Sequence, residues 1–142
     1  MMKTQSDQIK ALFELVSASP ELAAALTGGI FELTRPENSL REDVVVNSLP
    51  VLPGSIQYGT ANVNLYVPDI KVSQTSKYSA YYAADSTRLE ELKDLVLPLI
   101  ENGIYADKAK YYVALSSLIR EPETRSHYYN FRVNFNWHQS AF

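Results

Sequence analysis

The chain has 142 residues, no cysteine and a formal net charge of −3. These values exclude disulfides, thiolate nucleophiles and cysteine-based metal sites, and they lack the basic balance that marks a duplex-DNA binder. An apolar share of 46% against 20% charged residues is that of an ordinary globular protein large enough for one core, so residues 1–142 are expected to form a single domain.

Ile9, Leu12, Phe13 and Val16 follow the i, i+3, i+4, i+7 rule and predict a helix over Ser6 to Ala18, with Thr4 or Ser6 available as its cap. Ser19 as cap and Pro20 at the first helical position then predict a short helix to Leu26, ended by a left-handed turn at Gly28-Gly29. Ile30 to Thr34 reads as a brief strand, the charged stretch Glu37 to Asp43 as a loop, and Val44 to Val46 as a strand ending before Pro50. Ser55 to Tyr58 and Ala61 to Val67 form the next candidate strand, with a kink or bulge near Gly59. There Val63, Leu65 and Val67 share one face while Asn62, Asn64 and Tyr66 share the other.

Pro68 to Ala84 shows no clear period and gathers Tyr78, Tyr81 and Tyr82, so it reads as a long loop and a candidate for partner contact. Packing of those tyrosines over a core edge explains them equally well. Thr87 with Glu90 makes a capping box ahead of the stripe Leu89, Leu92, Leu95, Val96, Leu99 and Ile100; Pro98 should bend or shorten this helix and Asn102-Gly103 should end it. Lys110 to Ile119 reads as a strand, and Glu121 to Thr124 as a turn.

From His127 to His138 the chain alternates with period two. His127, Tyr129, Phe131, Val133, Phe135 and Trp137 fall on one side, and Tyr128, Asn130, Arg132, Asn134, Asn136 and His138 on the other. Asparagine is a poor strand residue, so this second face is expected to meet water, a partner subunit or a polymer rather than an apolar core. Helices set apart from hairpin-paired strands predict an α+β fold: a mostly antiparallel sheet covered on one face by helices, with a long C-terminal β-hairpin.

No catalytic signature accompanies this layout, and no cofactor or metal is expected. His127 and His138 are the only histidines and stand at opposite ends of one strand, separated by roughly 30 Å or more, so they share no site within a subunit. Asp69 and Asp107 read as isolated carboxylates; Arg88, Glu90, Glu91, Lys93 and Asp94 read as the solvated face of a helix. Glu121, Glu123, Arg125 and His127 crowd one turn, which usually means solvated charge. Tyr66, Tyr128 and Arg132 loosely fit a base-stacking surface, but positive charge is too sparse to make nucleic-acid binding the better account. No apolar run reaches the roughly 20 residues that span a bilayer, and the N-terminal sequence lacks the order of a signal peptide, so folding in the cytoplasm without membrane contact is expected.

Taken in order, the chain resembles the small tail-completion and tail-terminator proteins of long-tailed bacteriophages and prophages. The likeness is one of layout: the helix Gln8 to Ser17, the short helix Pro20 to Leu26, Gly29-Ile30-Phe31, Leu49-Pro50 ahead of the strand Asn62 to Val67, the Leu-rich helix Thr87 to Ile100 and the closing antiparallel pair. It implies a non-enzymatic structural virion protein, assembled in the bacterial host cytoplasm. Its subunits would form a ring that terminates the tail tube and contacts the tube protein and the head connector, with DNA passing through the lumen without specific binding. Asn62, Asn64, Tyr66, Tyr78, Tyr81, Tyr82, Asn130, Arg132, Asn134 and Asn136 are the residues expected at subunit or lumen contacts. The alternative is a small nucleic-acid-binding module or enzyme with residues 68–84 as a lid.

Overall fold

Two helices lead into a six-stranded sheet, and a third helix returns across the same face before the final strands. The computed structural model describes residues 2–52 and 57–138. Helix α1 (Gln5–Ser17) begins at Thr4, whose backbone N–H and hydroxyl both donate to the Asp7 carboxylate. Helix α2 (Pro20–Ala25) is capped by Ser19, which accepts from the Leu22 amide. The next strands are β1 (Ile30–Glu32), β2 (Asp43–Ser48) and β3 (Gln57–Pro68). After a small hairpin, β4 (Ile70–Val72) and β5 (Tyr81–Ala83), come helix α3 (Ser86–Ile100), β6 (Asn102–Tyr105), β7 (Ala109–Glu121) and β8 (Ser126–Trp137).

The sheet runs β1-β2-β3-β8-β7-β6, antiparallel throughout except for the β1–β2 pair. This is the α+β architecture that the pattern of elements predicts. The alternation in the last strand decides which face is covered. Phe131, Val133, Phe135 and Trp137 are all at most 1% exposed, and they pack with Val63, Leu65 and Val67 beneath Leu12, Val16, Leu22, Leu89, Leu92, Val96 and Ile100. Burying such a face supplies most of the folding drive, since each apolar side chain withdrawn from water contributes about 1.5–3 kcal/mol. Trp137 stacks on Phe135 with ring centroids 5.3 Å apart, and its indole N–H donates to Gln8 Oε1 at 3.1 Å. Gln8 donates in turn to Ser48 Oγ at 2.8 Å, which satisfies a buried amide at the helix–sheet junction.

Several local expectations are corrected. Helix α2 ends in extended backbone at Leu26, and no glycine among the described residues has positive φ. Gly28 is needed instead for close approach: a Cβ there would lie 1.9 Å from Asp43 Oδ1. Strand β3 is unbroken in register from Gln57 to Pro68, and Gly59 makes room for the Gln8 amide; residues 55 and 56 of the expected strand lie outside the described residues. The irregularity falls in β7, where the register with β8 slips between Val113 and Leu115. Helix α3 takes Asp85, not Thr87, as its cap, while its end at Ile100, with Pro98 inside, is the expected one. Asn102-Gly103 opens β6 rather than simply ending the helix.

Residues 68–84 are not a structureless loop. Ile70-Lys71-Val72 and Tyr81-Tyr82-Ala83 pair as a hairpin, with the tip held by Thr75 N–H donating to Tyr78 O at 2.8 Å. β-branched and aromatic residues at both strands favour that pairing over coil.

Candidate functional site

The side of the sheet opposite the helices carries the asparagines, which occupy alternate positions on adjacent strands and so meet across the ladder. Asn62 lies beside Asn47 on β2, Asn64 beside Asn130 on β8, and Thr60 beside Asn134. Their amides form a connected network. Asn62 Nδ2 donates to Asn47 Oδ1 at 2.8 Å, and Asn130 Nδ2 donates to Asn62 Oδ1 at 3.1 Å and to Asn64 Oδ1 at 2.7 Å. A second chain runs through Asn134, which accepts from Thr60 Oγ1 at 3.1 Å and donates to the Tyr112 hydroxyl at 3.2 Å.

Asn62, Asn64, Tyr66, Asn130, Asn134 and Asn136 are all half-buried and Arg132 is exposed, so the expected surface exists as one continuous face. Tyr66 stacks on Tyr128 with centroids 4.6 Å apart, and the Arg35 guanidinium lies over the Tyr66 ring at 4.2 Å. Burial, with the neighbouring Tyr128 next, raises the Tyr66 hydroxyl above its ordinary pKa. Asn136 lines a shallow hollow of about 190 Å³ with Tyr58, Tyr112 and Asn134. Sequence reasoning missed Asn47, Thr60 and Tyr112 as members of this network. The Asn47–Asn62 register was the available signal, but it appears only once β2 is paired with β3.

Tyr78, Tyr81 and Tyr82 do not join this face. They stand on the β4–β5 hairpin at 65%, 48% and 44% exposure. The base of that arm is clamped to the start of β8. Asp69 N–H donates to Arg125 O at 2.8 Å, the Asp69 carboxylate meets His127 Nδ1 at 2.7 Å, and the Arg125 guanidinium lies 4.4 Å from the Tyr82 ring centroid. Asp69 is therefore not isolated, and His127 is not an ordinary surface group.

The charged stretch before β2 is likewise not merely a solvated loop. Glu42 and Asp43 are buried at 6% and 1% exposure. Arg88 donates to Glu42 through Nε at 2.6 Å and Nη2 at 2.9 Å, and to Ala25 O at 2.6 Å. It thus leaves the solvated side of α3 and ties α2, α3 and β2 together. The hydrogen bonds to Glu42 raise the Arg88 pKa, so its charge is permanent. Arg35 Nε lies 3.0 Å from Asp43 Oδ2, close enough for charge pairing although misdirected for a hydrogen bond; its Nη2 donates to Ser39 O at 2.8 Å and to Arg41 O at 3.1 Å. Both buried acids thus serve as structural ties at the start of β2.

Among the described residues no group of three or more His, Asp or Glu side chains is placed to hold a metal ion, and no helix is long and apolar enough to cross a membrane. No protein-family model matches this chain, and no curated protein matches it. The amides of this network hold one another's donors and acceptors in fixed positions.

Proposed function

We propose that this protein is a non-enzymatic structural subunit of a homo-oligomeric ring, of the kind that terminates a bacteriophage tail tube and joins it to the head connector. The observation that carries the reading is the amide face. Asn47, Asn62, Asn64 and Asn130 satisfy one another across three strands, which makes a preorganised, uncharged surface suited to lining a lumen or meeting a neighbour. Association with DNA draws its strength from clustered positive charge releasing counterions, and the cations on this face, Arg132, Lys110 opposite Asn136 and Arg35 over Tyr66, are spread along it rather than clustered. A passing duplex would slide over such a lining rather than grip it.

The open amide face of the sheet and its projecting arm favour assembly over a small-molecule reaction. The rigid base of the arm, tied by Asp69, Arg125 and His127, supports a protruding contact rather than a lid that swings. In this account the ring is assembled in the bacterial cytoplasm and incorporated in the virion, with the tube protein and the head connector as its axial neighbours.

Negative-stain imaging of the purified protein tests the reading. Closed annular particles with a central opening are expected; a field of monomers alone at high protein concentration would contradict it.

A further inference from the structure

Beyond the network of Asn47, Asn62, Asn64 and Asn130, the amide face ends in the hollow of about 190 Å³ between Tyr58 and Tyr112. Its shape follows from the register. Asn134 and Asn136 on β8 form the floor, with Tyr58 on β3 opposite Asn136 and Tyr112 on β7 opposite Asn134. The two tyrosines therefore stand on either side of β8, two strand spacings or about 10 Å apart across the sheet and one two-residue step apart along it. Both are well exposed, Tyr58 at 64% and Tyr112 at 48%.

The polar groups of the hollow are only partly used. Thr60 Oγ1 donates to Asn134 Oδ1 and Asn134 Nδ2 donates to the Tyr112 hydroxyl, which fixes Tyr112 and leaves its own O–H free to donate. The half-buried Asn136 amide, with two donors and an acceptor, and the Tyr58 hydroxyl have no hydrogen-bond partner among the described residues. Nor does any charged side chain among them line the hollow.

This lining selects a chemistry. A phosphate or carboxylate would find no cation in it to pair with. An apolar plug would strand the Asn136 amide, and an amide covered without a partner is costly. A pyranose meets both demands: its C–H face lies on an aromatic ring, and each hydroxyl at its edge both donates to and accepts from amides and phenols. The hollow is smaller than the roughly 300 Å³ at which sites for drug-sized ligands begin, so it holds one ring rather than an extended molecule. A nucleobase also stacks on tyrosine, but a nucleotide brings a phosphate that this lining leaves unpaired.

We propose that the hollow binds one neutral pyranose unit, with Tyr58 and Tyr112 as its walls and the Asn136 amide as its main hydrogen-bonding group. The site uses none of the four asparagines that carry the ring reading, so the two stand independently.

Two-dimensional amide NMR of the isotope-labelled full chain tests it, with methyl α-glucopyranoside, methyl β-galactopyranoside and methyl N-acetyl-β-glucosaminide as probes and with uridine and inorganic phosphate as probes of other chemistry. At least one glycoside is expected to shift the Asn136 side-chain amide with a Kd of about 1 mM, as a single shallow site allows. Tyr58→Ala and Asn136→Ala, whose spectra also verify folding, should each weaken that binding by about tenfold. Tyr58→Phe, which keeps the ring, should retain most of it, and Tyr81→Ala on the arm should leave it unchanged. No response to any of the three glycosides at tens of millimolar, a response that survives both alanine substitutions, or a response to uridine or phosphate alone would overturn the sugar site. Ring assembly is read separately, from the negative-stain images.

Discussion

Arg88 shows how one side chain can fix the arrangement of three elements. Its guanidinium is shared between Glu42 at the entry to β2, Ala25 at the end of α2 and Glu91 on its own helix. Glu42 is almost fully buried, so loss of its partner leaves an uncompensated carboxylate in a poorly solvated place. Arg88→Met is expected to destabilise the fold by roughly 2–3 kcal/mol, at or below the low end of the range for breaking a buried pair because the Arg88 side chain is 30% exposed. Urea denaturation followed by the single Trp137 measures it; an unchanged midpoint would show that Glu42 finds another partner or water. None of this was legible in the sequence. Arg88 stands among Glu90, Glu91, Lys93 and Asp94 in an ordinary helix-surface pattern, and only the fold brings Glu42 to it from 46 residues away. The Asp69–His127 contact was hidden for the same reason.

Among the elements, strands and helices with strict periodicity were the most legible. The alternation from Tyr129 to Trp137 predicts which face of β8 is buried, and the stripe from Leu89 to Ile100 predicts the buried side of α3. Short elements without a long period were not: β6 was missed, and the β4–β5 hairpin read as loop because three-residue strands carry too little pattern. Strand β6 is held partly by Tyr105, whose hydroxyl donates to Glu14 of α1 and whose ring meets Trp137 edge-on at 6.4 Å. Burial first, and the Glu14 carboxylate second, push the Tyr105 pKa up to about 12. The folded state therefore keeps a proton that the unfolded chain loses near pH 10. The resulting stability is complete below about pH 10 and is lost as pH rises toward 12. Chemical denaturation at several alkaline pH values should show a steeper decline for the unaltered protein than for Tyr105→Phe across that window; parallel declines would remove Tyr105 from the account.

For the whole molecule, the sheet divides its work between two faces. One is closed by α1, α2 and α3 over the aromatic side of β8; the other is an amide network with its hydrogen bonds arranged in advance. The asparagine face was legible from sequence because side chains on a strand alternate, whereas the free apolar half of β7 was not. Its composition resembles a buried strand, yet the register with β8 places Leu115 and Ile119 on the amide face away from the helices, and β6 stops pairing at Tyr112. On the proposed ring reading, a lone subunit is an incomplete form of the protein. Native mass spectrometry over a dilution series tests this most directly: one fixed stoichiometry above the monomer, persisting until subunits dissociate without a ladder of abundant intermediates, is predicted, whereas monomer at every concentration or an open-ended series of oligomers would contradict a closed ring.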